Sequence, residues 1–181
     1  MNAIKSPTAV TGTQTRRQLI AALAIAIGSL AAPSVQGETQ PNMTEPQSTG
    51  AEGLLTYIHQ EIEIKATPQR IYDALLDSKQ FAAVTGMPAE ISRDAGGAFS
   101  TFGGLIVGRN IELEPNQRIV QAWRPASWDP GVYSVVKFEL KAHDAQTTIV
   151  LDHTGFPEGS FRHLDSGWYA RYWDPLKKYL G

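Results

Sequence analysis

The chain has 181 residues, no cysteine, and 18 acidic against 16 basic residues, which gives a formal net charge of −2 at pH 7. The absence of cysteine excludes disulfide bonds, thiol nucleophiles, cysteine-ligated zinc and iron–sulfur clusters. The acidic excess argues against a nucleic-acid-binding protein, which normally presents a basic face, so no nucleic-acid partner is expected.

Residues 1–37 have the features of a bacterial twin-arginine signal peptide. Arg16 and Arg17 precede an apolar run of 14 residues, Leu19 to Ala32, and the segment contains no acidic residue. At about 1.5 Å per residue this run would span roughly 21 Å, less than the ~30 Å hydrocarbon core, so no stable membrane span is expected. We predict that the twin-arginine translocase exports the chain, that cleavage occurs near Gly37, and that the mature protein is periplasmic or secreted.

Two alternatives to export stay open. An arginine-containing N-terminus without acidic residues also suits an organelle transit peptide, although this apolar run is too continuous for an amphipathic one. Translation could instead begin at Met43, and the signal segment would then not exist.

A change of composition separates the leader from a single domain. Residues 38–54 are rich in Pro, Gln, Thr, Glu and Gly and offer almost nothing to bury, which predicts a flexible linker. Residues 55–181 are then long enough for one domain with one core.

The domain begins with one strand and two short helices. Apolar and polar residues alternate from Tyr57 to Lys65, apart from Gln60, which predicts a strand with one wet face. Thr67 followed by proline predicts a helix to about Leu76. Asp77 then predicts the cap of a second short helix.

Residues 91–154 follow a period of two that turn residues interrupt, which predicts about six antiparallel strands. Glycines at 103, 104 and 108 indicate bends or bulges in a curved sheet. A long C-terminal helix is predicted over residues 166–180, because large apolar residues recur there every four positions. This order predicts an α+β helix-grip fold, in which a curved antiparallel sheet surrounds the C-terminal helix and leaves a cavity.

Short stretches spread over residues 58–180 carry a resemblance in their order and spacing. They are Ile64 to Pro68, Ile71 to Leu75, Gly96 to Phe99, Gly108, Ile111 to Pro115, Ala122 to Arg124, Val136 to Leu140, His153 to Phe156, and Gly167-Trp168. The chain resembles the activator-of-heat-shock-protein-ninety-ATPase homologue (AHSA1-type) family of the START-like, or SRPBCC, superfamily. The resemblance implies a helix-grip fold, no common catalytic set, and roles that range from chaperone stimulation to binding of apolar molecules.

Two features depart from that family. Its members are ordinarily cytosolic, which conflicts with the predicted export. Pro175 lies inside the predicted C-terminal helix, where it either kinks the helix or, with Asp174, caps and restarts it.

Strand parity identifies candidate ligand-binding residues in the predicted cavity. The apolar walls are Trp123, Phe138 and Trp168, and the polar groups are His153, Gln121, Ser134 and Arg109. Arg109 faces inward unless a bulge at Gly108 changes the register. The alternative is that the aromatic side chains fill the core and that His153 bonds a neighbouring residue.

No metal site, cofactor or catalytic residue is predicted. Asp152, His153, His163 and Asp165 are potential metal ligands, but Asp152 and His153 point to opposite faces of a regular strand. A general acid–base pair would need a second titratable group beside His153.

Three hypotheses for function follow. The first is an exported monomer that binds a small hydrophobic or amphipathic molecule in the central cavity. The second is a protein-interaction module related to chaperone ATPase activators, which would regulate a chaperone if the chain is cytosolic. The third is an enzyme that acts on a hydrophobic substrate through His153.

Overall fold

The computed structural model describes residues 54–181. The predictions for Arg16, Arg17, the signal segment and residues 38–53 lie outside the described residues. Seven antiparallel strands form one curved sheet in the order β1-β7-β6-β5-β4-β3-β2. The strands are β1 (Tyr57–Ile64), β2 (Glu90–Ile91), β3 (Ala98–Thr101), β4 (Ile106–Glu114), β5 (Arg118–Pro125), β6 (Ser134–His143) and β7 (Gln146–Thr154).

Strands β1, β5, β6 and β7 follow the predicted parity. In β1 every second residue is buried, including Gln60, which the apolar pattern did not assign to the inner face. The inner faces of β5, β6 and β7 bury the predicted sets: Ile119, Gln121, Trp123; Ser134, Val136, Phe138, Leu140; and Ile149, Leu151, His153. The core therefore lies between this sheet face and the helices.

Two short helices follow β1 where the capping residues predicted them. Helix α1 (Pro68–Leu76) is capped by Thr67, whose hydroxyl accepts from the Arg70 backbone N–H at 3.4 Å. Helix α2 (Ser78–Thr85) is capped by Asp77, whose carboxylate accepts from the backbone N–H groups of Lys79 and Gln80. Each cap satisfies backbone donors that the first helical turn leaves unpaired.

Strand β4 contains a bulge that corrects the predicted position of Arg109. The pairing of β4 with β5 shifts between Asn110 and Glu112, so Ile111 is the extra residue, and the bulge is not at Gly108. In a regular strand, Arg109 would lie on the same face as Leu113, which is the inner face. The extra residue of the bulge reverses this alternation and places Arg109 on the outer face. Arg109 is exposed on the outer face, where its guanidinium donates to the Gly96 carbonyl at 3.0 Å.

The C-terminal helix begins earlier than predicted and contains a wider turn. It consists of α3 (Phe161–Trp168), a π-helical turn (Tyr169–Trp173) and α4 (Asp174–Leu180). The Asp174 N–H donates to the Tyr169 carbonyl across the π turn. Pro175, which has no N–H, lies in the first turn of α4, so the helix accommodates it by restarting after the π turn. Within residues 54–181, no helix combines the length and apolar character needed to cross a membrane.

Gly108 provides a test of the sheet register. A Cβ at this position would overlap the Ala122 carbonyl oxygen and the Phe99 ring. We expect Gly108→Ala to lower the free energy of unfolding by about 1–3 kcal/mol, measured by urea denaturation, because the backbone must shift to relieve the overlap. Gly167→Ala is the control, since a Cβ there meets no atom within 4 Å outside its own helix. Equal stability of the Gly108 variant and the wild type would contradict this register.

Candidate functional site

Aromatic side chains fill the centre of the molecule, between the sheet and the C-terminal helix. We call this set the aromatic core: Phe81, Phe102, Trp123, Phe138, Trp168, Tyr172 and Trp173. Neighbouring rings have centroids between 4.4 and 6.3 Å apart, the range of favourable aromatic pairs. A void of about 10 Å³ lies beside Phe138 and Tyr172. Side chains therefore occupy most of the space in which the central ligand cavity was predicted.

His153 lies at the middle of the inner sheet face and bonds to protein groups through both ring nitrogens. Its Nδ1 accepts from the Trp168 indole N–H at 3.1 Å. The other nitrogen, Nε2, therefore carries the proton and donates to the Ser134 hydroxyl at 2.8 Å. Ser134 in turn donates to the Trp123 carbonyl at 2.9 Å. Two of the four predicted polar ligand groups are therefore bonded to protein. His153 joins β7 to the C-terminal helix, and Ser134 joins His153 to β5.

The same surroundings hold His153 in its neutral form. Burial lowers the pKa of His153 from 6.5 to about 3, and the Phe156 and Trp123 rings pack against it at 4.9 and 5.0 Å. A general acid or base needs a nitrogen within reach of a substrate. Both nitrogens of His153 are bonded to protein, so the geometry does not support the hypothesis of an enzyme that uses His153.

Gln121 is also hydrogen-bonded to a protein group. Its side-chain amide donates to the Asn110 Oδ1 at 2.9 Å, and Asn110 Nδ2 donates to the Ser92 carbonyl at 2.7 Å. Asn110, 1 % exposed, therefore connects β5 to the turn before β3. Strand parity does not predict a buried Asn110, because its place on the inner face follows only from the bulge at Ile111.

An apolar pocket of about 210 Å³ opens at one end of the aromatic core, and we call it the end pocket. It lies between the turn at residues 102–104, the adjoining ends of β4 and β5, helix α3 and the π turn. Its lining residues are Phe102, Leu105, Ile106, Trp123, Pro125, Ala126, Ser127, His163, Leu164, Gly167, Trp168, Arg171 and Tyr172. Of the predicted walls, Trp123 and Trp168 line it, and Phe138 does not.

Two backbone features shape the end pocket. Phe102 has a φ of 54°, a left-handed conformation that is unfavourable for a bulky residue and that sends its ring into the aromatic core. Gly167 lies inside helix α3 and faces the pocket. Glycine in a helix interior is less stable than alanine by about 0.5–1 kcal/mol. The chain thus keeps one strained backbone conformation, at Phe102, and one residue of low helix propensity, Gly167, where the pocket forms.

Buried polar groups lie behind the pocket wall. The Tyr172 hydroxyl interacts with Trp123 and Thr101, although neither the Trp123 Nε1 nor the Thr101 Oγ1 reaches full hydrogen-bond geometry. Burial raises the pKa of Tyr172 to about 12, so the hydroxyl stays neutral. Tyr172 lines both the end pocket and the small void beside Phe138, and therefore separates them.

The residues considered as metal ligands have other roles. Within residues 54–181, no three His, Asp or Glu side chains are placed to hold a metal ion. Asp152 accepts from Tyr57 and His59 and pairs with Lys137 on the outer sheet face. Burial alone would raise the pKa of Asp152, but the hydrogen bonds from His59, Lys137 and Tyr57 outweigh it and lower the pKa to about 2. Asp165 accepts from Gln60 at 2.8 Å.

Comparison with known proteins identifies the family. The profile of the family described as "Activator of Hsp90 ATPase homolog 1-like protein" matches residues 65–181. The chain belongs to this family. An activator of 90 kDa heat shock protein ATPase homolog from Dictyostelium discoideum is 31 % identical over 116 residues, which are 64 % of this chain and 30 % of that protein. An uncharacterised Schizosaccharomyces pombe protein is 32 % identical over 124 residues, covering 68 % of this chain and 37 % of the other.

Solved structures confirm the helix-grip fold. An HSP90 activator from Plasmodium falciparum superposes with a TM-score of 0.65 at 24 % identity, over 68 % of this chain and 95 % of that one. The Aha1 dimer from Colwellia psychrerythraea gives a TM-score of 0.61 at 21 % identity, over 70 % and 96 % of the two chains. The chain spans less than half the length of the curated relatives it matches, between 30 % and 46 %.

The burial of His153 makes the free energy of unfolding depend on pH. Its pKa is about 3 in the folded protein against 6.5 in the unfolded chain, so below pH 6.5 only the unfolded state takes up the proton. Its contribution is complete above pH 6.5 and is lost as the pH falls towards 3, by about 1.4 kcal/mol per pH unit.

We expect His153→Gln, which keeps one donor and one acceptor, to remove this dependence between pH 6 and 4.5 in urea denaturation. An imidazole that titrates near pH 6.5 in the folded protein, observed by NMR, would contradict the bonding of both nitrogens.

Proposed function

We propose that this protein binds a small hydrophobic molecule in the end pocket. The observation that carries the proposal is the pocket itself, which is concave, mainly apolar and walled by Trp123, Trp168 and Tyr172. Ligand sites have this composition, with apolar and aromatic walls and a few polar groups. The site is at the end of the aromatic core, because side chains fill most of the space at its centre.

The size of the pocket limits the ligand. Pockets for drug-sized molecules usually have volumes of about 300–1,000 Å³, and the end pocket has about 210 Å³. A long-chain lipid would not fit without movement of the aromatic core. A compact molecule of one or two rings suits the volume and can stack on the flat tryptophan side chains.

The glycine at position 167 supports a binding role for the open volume of the end pocket. Alanine at this position would stabilise the helix without meeting any atom, whereas a larger side chain would enter the pocket. Stability is commonly sacrificed where a site needs space or strain. The π turn that follows supports the same reading, because π turns occur frequently at functional sites.

We further propose that the protein binds this molecule as a monomer outside the cytoplasm. Arg16 and Arg17, the apolar run after them and the absence of acidic residues before Glu38 support export by the twin-arginine translocase. In that compartment the ligand would come from the envelope or from the medium.

A second candidate is a protein-interaction module that regulates a chaperone ATPase. The family and the names of its relatives support it. The outer sheet face also has a cleft of about 330 Å³ beside Tyr57, Val120 and Val135, and an exposed apolar surface of this kind favours a protein partner.

Filling the end pocket tests the proposed binding. We expect the full chain to bind naphthalene-1-carboxylate or its neutral carboxamide. Quenching of tryptophan fluorescence measures this binding. Gly167→Leu should weaken this binding by about ten-fold or more, because the new side chain occupies the pocket. Ala170→Leu introduces the same side chain on the exposed side of the helix and should bind like the wild type. Binding of neither probe, or equal binding by the Gly167 variant, would overturn the proposal.

The location of the protein in the cell distinguishes the two candidate functions. We expect the double substitution of Arg16 and Arg17 to lysine to retain the protein in the cytoplasm, as shown by cell fractionation with immunoblotting, because the translocase reads the paired arginines. The wild type should be found outside the cytoplasm, with its first residue near Glu38. A wild-type protein that stays in the cytoplasm and begins at Met43 would contradict the proposed export. The ATPase rate of an Hsp90-type chaperone with and without the protein would then test the second candidate.

A further inference from the structure

We propose that the molecule bound in the end pocket carries an anionic group, a carboxylate or a sulfonate, which Arg171 and His163 hold at the pocket opening. This inference rests on the proposed binding function and specifies the chemical class of the ligand. The apolar part of the ligand would lie against Trp168, and its charge would face the solvent side.

Three residues of the C-terminal helix lie at the opening of the end pocket. His163, Gly167 and Arg171 follow one another at intervals of four residues and all line the pocket. His163 and Arg171 are exposed, whereas Leu164 and Trp168, which line the same pocket, are buried. Because Gly167 has no side chain, it leaves a gap between the imidazole and the guanidinium at the opening.

Arg171 makes no hydrogen bond or ion pair with a protein group among residues 54–181, unlike most arginines there. Arg93 and Arg118 pair with carboxylates. Arg109 and Arg124 donate to backbone carbonyls. A guanidinium at a pocket opening presents a planar set of donors that matches a carboxylate, and such charge-assisted bonds are stronger than neutral ones.

The pocket lining has a cationic side chain and no acidic one. The pocket lining contains Arg171 and His163 and no Asp or Glu. The positive charge of Arg171 also acts on the neighbouring Tyr172, where it opposes the rise in pKa that burial causes. The whole chain has a net charge of −2, so a cationic opening runs against its overall balance. An anionic ligand is attracted to such an opening, and its apolar ring then displaces water from the tryptophan walls.

A matched pair of probes tests whether the pocket prefers an anionic ligand. Naphthalene-1-carboxylate and naphthalene-1-carboxamide have nearly the same shape and differ in charge. We expect the full chain to bind the carboxylate about ten-fold more tightly than the carboxamide, measured by isothermal titration calorimetry. In Arg171→Gln this preference should fall to about two-fold or less, while the affinity for the carboxamide stays unchanged.

Lys178→Gln is the matched control, because it removes one positive charge from the same helix away from the pocket, and it should keep the preference. Equal affinities of the wild type for the two probes, or a preference that survives in Arg171→Gln, would overturn the inference while leaving the proposed binding intact. Binding of neither probe by the wild type would instead overturn the proposed function, and the inference with it.

Discussion

Two indole hydrogen bonds fix the C-terminal helix on the sheet, and the rest of the structure depends on them. Trp168 donates to His153 in β7, and Trp173 donates to Gln60 in β1 at 2.6 Å. Both bonds are buried, where an unpaired polar group would be costly, so they define the rotation of the helix as well as its position. That rotation directs the two indole rings into the centre of the molecule and turns Gly167 towards the end pocket.

The filled centre determines which functions the fold can support. A helix-grip fold can hold a ligand between sheet and helix, but here the aromatic core occupies that space and leaves room only at one end. The protein is stabilised as a packed domain, and its site is small. Membership of the family therefore establishes the architecture, while the ligand and the partner depend on local features. Those features are Gly167, Arg171, the strained Phe102 and, near the N-terminus, Arg16 and Arg17.

Much of the fold could be predicted from the sequence because its strands are regular. Strand parity placed Trp123 and His153 on the inner face, where they are found. The same rule failed for Arg109, because one extra residue at Ile111 reverses parity and no local pattern marks it. The pocket could not be predicted, since its volume depends on how several large side chains pack against one another. A glycine among the helical residues near Trp168 was the one available signal for it.

The indole N–H signals of the four tryptophans give the most direct test of where the ligand binds. During an NMR titration of the full chain with naphthalene-1-carboxylate, we expect the signals of Trp123 and Trp168 to shift, because both residues line the end pocket. The signal of Trp173 should stay in place, because this residue does not line the end pocket and remains bonded to Gln60. A Trp173 signal that moves as much as that of Trp168 would place the ligand in the centre and contradict the account, and so would four signals that do not move.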